Sequence, residues 1–193
     1  MNMRPLPRRF FARNVEAVAR ELLGTTLLVN GAGGIVVETE AYDRDDPAAH
    51  SFAGRTVRNA VMFGPPGYTY VYRSYGLHWC LNVVCEPGSA VLIRALEPVA
   101  DIELMRARRR SENDRLLCAG PGRVCEALGI DGTFNGFAID EEPFLMIGRD
   151  KDPVIVACAR IGISKAVEVP WRFCIQASNF LSRPAGITPK PKG

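Results

Sequence analysis

Thr25-Thr26-Leu27-Leu28-Val29-Asn30-Gly31-Ala32-Gly33-Gly34-Ile35-Val36-Val37-Glu38-Thr39-Glu40-Ala41-Tyr42 predicts two strands, 25–29 and 35–42, set around a glycine-rich turn at 30–34. Before it, Asn14 is a natural N-cap, and Val15, Val18, Ala19 and Leu22 recur at helical spacing until Gly24 stops the helix. After it, residues 43–67 form a polar excursion rich in Gly and Pro, long enough to suggest a functional loop. Strands are predicted at 68–72 and 77–85, joined at Arg73-Ser74-Tyr75-Gly76, and again at 91–96, 154–163 and 172–175. Pro98 is expected to open a helix that runs through Arg106–Arg110, and Gly120-Pro121-Gly122 a shorter one ending near Gly129. Strands and helices are interspersed without a regular strand–helix–strand rhythm, so the pattern predicts one mixed α+β domain over 1–193, with a Pro- and Lys-rich tail at about 184–193.

Composition sets wide bounds. The chain's 193 residues suffice for a real core, and 47% hydrophobic with 23% charged residues is ordinary for a globular protein. A net charge of +3 does not by itself announce a polyanion as partner. Positive charge does cluster at Arg106, Arg108, Arg109 and Arg110, as either a solvated helix face or a set of phosphate contacts. Six cysteines with no C-x-x-C pair, lying in apolar stretches such as Trp79-Cys80-Leu81, predict buried free thiols. No signal peptide and no apolar run of membrane-spanning length stands out, which points to a cytoplasmic protein.

Side chains alternate along a strand, so Glu38, Glu40 and Tyr42 share one face of 35–42. Two acids and a tyrosine can be the wet side of a half-exposed strand or the start of a site. All five tyrosines lie between 42 and 75. Tyr68, Tyr70 and Tyr72 alternate along one strand, and Tyr75 stands at a hairpin tip where its own sheet cannot bury it. An aromatic wedge on a turn is one way into a stacked duplex. His50, one of two histidines, says little alone.

In order along the chain, these segments resemble the alkyladenine (3-methyladenine) DNA glycosylase family. The resemblance rests on Ala19–Gly24, Val37–Tyr42, Ala49-His50-Ser51, Arg58-Asn59, Met62-Phe63, Tyr70–Tyr72 with Tyr75-Gly76, Cys80–Val83, Leu92–Pro98, Leu117–Gly122 and Ala159–Ile163. It implies a curved, largely antiparallel sheet with surrounding helices and a protruding β-hairpin. It implies that double-stranded DNA carrying a damaged purine is the partner, with no cofactor, no metal, no membrane and no obligate protein partner, and that the protein is a monomer. By the same resemblance, Tyr75 fills the space left by the flipped nucleotide, while Tyr42 stacks on one face of the purine and Tyr72 with His50 on the other. Asn82 lines the pocket floor and discriminates against the 2-amino group of guanine. Arg94 holds a water near Glu40, and Ile163 supplies a backbone contact near the base.

Hydrolysis of a purine N-glycosidic bond builds positive charge at C1′. An ionised Glu40 can take a proton from water and stabilise that charge. No lysine stands in the pattern to form a Schiff base, so a monofunctional enzyme leaving an abasic site is expected. Two rivals make different predictions. A catalytically silent DNA binder would be expected to lack the acid, yet Glu40 and Arg94 are present. A metal-dependent hydrolase on Glu38, Glu40 and His50 would be short of histidine and sensitive to chelator. Gly120-Pro121-Gly122 reads equally as a phosphate cradle or as a simple helix start.

Overall fold

The computed structural model describes residues 4–186; Lys190 and Lys192 of the tail lie outside it. Eight strands and four α-helices are present among the described residues: α1 (Val15–Glu21), β1 (Thr26–Val29), β2 (Ala32–Tyr42), β3 (Thr69–Ser74), β4 (His78–Val84), β5 (Ala90–Ala100), α2 (Ile102–Arg109), α3 (Asp114–Leu117), α4 (Pro121–Leu128), β6 (Phe144–Ile147), β7 (Ile155–Cys158) and β8 (Arg172–Ile175). All strand pairings are antiparallel, in the order β3-β4-β5-β2-β1-β6, and the sheet curls into a half-barrel. It forks at β2. One edge runs along β5; the other pairs β1 through its first residues and β8 through Glu38, Thr39 and Glu40, with β7 added beyond β8. The fork makes β2 the central strand of the sheet.

Local chemistry explains the elements. The Asn14 side chain accepts from the Glu16 and Ala17 N–H groups and starts α1, whose Val15, Val18 and Ala19 are buried against the sheet. The Thr39 hydroxyl donates to the Ala19 carbonyl (2.8 Å) and ties β2 to that helix. The turn before β2 is narrower than the glycine run suggested. Only Asn30 (φ 51°) and Gly31 (φ 84°) make it, with Val29 paired to Ala32, the two-residue hairpin that Asn-Gly favours. Gly33 and Gly34 belong to the strand. A Cβ there would lie 1.9 Å from the Leu27 carbonyl oxygen and 2.0 Å from that of Glu97, so close approach on both edges requires glycine.

Pro98 does not open a helix. It continues β5 opposite Gly34, at a register shift between Gly33 and Gly34, and α2 begins only after Asp101. β4 pairs only with Ala90–Leu92, so at Pro98 the β4 side of β5 needs no ladder N–H. Two other expectations change. The predicted strand 154–163 stops at Cys158, after which the chain leaves the sheet to carry Arg160 and Ile161; β6, in a stretch with no clear pattern, pairs with β1. The six cysteines are buried free thiols, as expected.

One hydrophobic core runs from Phe11 to Phe173, filled by α1, α4 and the inner face of the sheet. A smaller cluster of Met62, Tyr70, Val84 and Ala90 supports the excursion 43–67. Burial of each Val or Leu in such a core contributes roughly 1.5–3 kcal/mol. No helix among the described residues is long and apolar enough to cross a membrane.

Candidate active site

Glu38 and Glu40 do share a face of β2, but that face is not wet: each is 0% exposed. What brings them a partner is irregularity in the β2–β5 ladder. The register passes from Val36↔Leu96 to Glu38↔Ala95 to Thr39↔Ile93, leaving Val37 and Arg94 without an opposite residue. Bulges re-aim side chains. Here Arg94, itself buried, donates from Nε to Glu38 Oε1 (2.9 Å) and from Nη1 to Glu40 Oε2 (3.1 Å).

Glu40 has two further partners. The Tyr42 hydroxyl donates to Oε2 (2.8 Å) and the Ile161 backbone N–H to Oε1 (2.7 Å). A carboxylate offers about four acceptor positions, so one on Oε1 remains for a small donor. Burial is the largest influence on this group and raises its carboxyl above the ordinary 4.5, against the opposing Arg94 charge and the hydrogen bonds from Ile161 and Tyr42. Burial acts on Glu38 as well. There Arg94, Arg172 and the hydrogen bonds from Ser182 and Arg172 outweigh it and hold the carboxyl below 4.5. Two acids on one face, two residues apart, are thus pushed in opposite directions.

Beside this cluster lies a cavity of about 790 Å³. Tyr42, His50, Tyr72, Tyr75, Asn82, Arg94 and Ile163, seven of the eight residues singled out from the sequence, line it. Glu40 does not, but its hydrogen-bond partners Tyr42, Arg94 and Ile161 all line the cavity. Tyr70 and Tyr72 stack at 5.4 Å between ring centroids, and His50 meets Tyr72 edge-on at 4.5 Å. His50 Nδ1 is 3.0 Å from the Tyr70 hydroxyl, and its carbonyl accepts from Asn59 Nδ2 (2.8 Å), which anchors the excursion. Partial burial, then the nearby Arg58, lowers the His50 pKa and favours the neutral ring. Burial and then the Glu40 charge raise that of Tyr42, which keeps its hydroxyl a donor. Asn82 lies opposite Tyr70 in the ladder and donates to its carbonyl (3.0 Å).

At the rim, β3 and β4 join through Tyr75, Gly76 and Leu77. Tyr75 is 81% exposed at φ 49°, with its hydroxyl 3.3 Å from the Gly162 carbonyl. A tyrosine rarely takes this backbone conformation, so the turn holds the ring outward at some cost. Sequence reasoning missed several contributors. Ile161 holds the acid through its backbone N–H, and Tyr70 and Arg58 join the wall. Lys165 lines the cavity too, an amine that the pattern had not placed near the site. Arg172 and Ser182 hold Glu38, and Arg160 pairs with Asp46 beneath Tyr42. Three members of the arginine run are tied to neighbouring groups at the surface: Arg106 pairs with Asp114 and Glu103, Arg108 donates to the Ala127 carbonyl, and Arg109 pairs with Glu126, while Arg110 is exposed. Among the described residues no group of three His, Cys, Asp or Glu side chains could hold a metal ion.

A family model described as methylpurine-DNA glycosylase (MPG) matches residues 9–179. The chain is 59% identical over 182 residues to a protein of Rhodopseudomonas palustris, covering 93% of this chain and 91% of that one. It is 60% identical over 179 residues to one of Nitrosospira multiformis (91% and 92%), and 56% over 174 residues to one of Rhizobium meliloti (90% and 94%). All three bear the name "Putative 3-methyladenine DNA glycosylase".

Proposed function

The chain belongs to the methylpurine-DNA glycosylase family, hydrolases acting on N-glycosyl bonds of DNA, and on that premise we propose that it removes a damaged purine, alkylated or deaminated, with a water activated by Glu40. The observation that carries this reading is the buried carboxylate itself: raised by burial, gripped by Arg94, Tyr42 and Ile161, and set directly behind an aromatic pocket. The extruded base stacks against Tyr42 on one side and Tyr72 with His50 on the other, over Asn82. A neutral His50 does not repel an alkylpurine that already carries positive charge, and electron-rich tyrosine faces attract it. The free position on Oε1 accepts the water proton as charge builds at C1′, and the ionised carboxylate stabilises that charge. Arg94 beside a forming cation would oppose the reaction if its charge were bare. Glu38 and Glu40, against Arg94 and Arg172, bring the cluster to balance.

The test is release of free base from duplexes containing 3-methyladenine, hypoxanthine or ethenoadenine, with chelator present. The expected result is full release in chelator and a strand that stays intact until alkali cleaves the abasic site. Abolition by chelator would favour a metal-dependent hydrolase. Lys165 on the cavity wall supplies a second outcome: a borohydride-trapped cross-link to the abasic strand that is lost in Lys165→Ala would make the enzyme a lyase through that amine and end the monofunctional reading.

Tyr75 is the wedge that occupies the vacated stack. Extrusion of a paired base costs a few kcal/mol, so Tyr75→Ser is expected to slow excision from paired sites by about tenfold or more, with a smaller effect on single strands. Equal rates on paired duplexes would remove Tyr75 from the mechanism.

A further inference from the structure

On the reading of Glu40 as the water-activating base, we propose that Ser182 is a positioning residue for it, acting through Glu38 and Arg94. Ser182 sits on the segment after β8, far along the chain from β2. Its N–H donates to Glu38 Oε2 (2.6 Å) and its hydroxyl to Glu38 Oε1 (2.7 Å), and the hydroxyl oxygen accepts from Arg94 Nη2 (3.3 Å). All three nitrogens of the Arg94 guanidinium are therefore committed: Nε to Glu38, Nη2 to Ser182 and Nη1 to Glu40. The guanidinium is a rigid plane with donors in a fixed fork. Held at Nε and Nη2, it has no freedom left at Nη1, which points at Glu40.

The remaining neighbours leave that task to Ser182. Facing Glu40 are Arg94 from β5, Glu38 and Tyr42 from its own strand, Tyr72 from β3 and Cys80 from β4. Arg172 of β8 lies opposite Glu40 in the ladder but sends its Nε to Glu38 (2.8 Å) and its Nη2 to the Arg183 carbonyl (2.6 Å). Arg172 thus balances the charge of Glu38 without touching Arg94. A buried ionic cluster of this kind is weak support for stability, since apolar side chains of similar volume pack as well. Apolar packing cannot aim a guanidinium nitrogen. The serine hydroxyl, donor to one member and acceptor from the other, closes the triangle that does.

Ser182→Ala removes both hydroxyl contacts and keeps the backbone N–H. Arg94 gains freedom, Glu40 loses part of its charge partner, and its burial is unchanged, so its carboxyl moves further up. The expected result is an acid limb of single-turnover excision displaced upward by about one pH unit, which is about tenfold in rate on that limb. Ser182→Thr keeps the hydroxyl and is expected within about twofold of the parent rate, with the limb in place. Titration of ¹³C-labelled glutamate carboxyls without DNA reads the same displacement independently of turnover. If the parent chain releases no base, the proposed function fails while the titration still reports on Ser182. If the parent is active and the Ser182→Ala limb and titration superimpose on it, even with a lower melting temperature, Ser182 is structural only and the positioning role is overturned.

Discussion

A Glu40→Gln protein is expected to fold, to hold a lesion-bearing duplex as tightly as the parent, and to release base more slowly by at least about 10³-fold, since it loses both a general base and a charge aimed at C1′. The carboxamide has the shape of the carboxylate but places an NH₂ where only acceptors now stand. Whichever way it turns, that NH₂ meets a donor, Arg94 Nη1 on one side or the Ile161 N–H on the other. The cluster also loses one of its two negative charges against Arg94 and Arg172, so the total cost is expected at about 3–5 kcal/mol, visible in melting and below the roughly 5–15 kcal/mol that holds a domain together. DNA affinity is untouched because no negative charge is added. Single-turnover base release and fluorescence anisotropy with a fluorescent lesion duplex check the two halves. Activity within tenfold of the parent would remove Glu40 from the chemistry, and loss of binding would make it structural. On the proposed role of Glu40, activity requires the ionised carboxylate, and burial raises its pKa. Excision is therefore expected to fall as pH drops through a value above the ordinary 4.5.

The strand face that carries this acid was legible because β alternation is local: Glu38, Glu40 and Tyr42 are fixed to one side by covalent geometry alone. Its burial was not legible. Glu38 owes its environment to Arg172 and Ser182, partners 134 and 144 positions away, and no local pattern records which distant strand will close over a face. The helix at Asn14 and the hairpin at Tyr75 were readable for the same reason as the strand face, since caps and turns are settled by a few neighbouring residues. Pro98 misled because its preference for a helix start is weak beside a sheet that offers a bulge opposite glycine. The arginine run left two readings open for another reason. A charge pattern shows what a helix carries, not whether Asp114 and Glu126 fold back to meet it.

The second large effect concerns stability and lies beneath Tyr42. Arg160 and Asp46 form a buried ion pair, with side chains 0% and 2% exposed, Nη2 donating to Oδ1 at 3.0 Å. Arg160 also donates to the Ala41 carbonyl (3.0 Å), and its guanidinium carbon lies 4.8 Å from the centre of the Tyr42 ring. It is not part of the cavity wall, so it backs that ring from behind. Asp46 stands on the short acidic loop that leads to His50, and Arg160 directly precedes Ile161. The pair therefore staples together the loop carrying one wall of the pocket and the segment whose backbone holds Glu40. Removal of one partner strands a charge out of water, so Asp46→Ala is expected to cost about 3–5 kcal/mol, or roughly 6–20 °C in melting temperature. The double variant Asp46→Leu with Arg160→Met removes both charges and is expected to regain most of that loss, since the buried pair contributes little net stability over an apolar filling. Its excision rate is expected to stay depressed, because the cation behind Tyr42 and the tie to Ala41 are gone. Calorimetry and single-turnover excision on the three proteins separate these effects. If Asp46→Ala melts within about 3 °C of the parent, the staple carries no stability. If the double variant regains full excision along with its melting temperature, the pair serves the fold alone, and the Tyr42 ring needs no charge behind it to do its work.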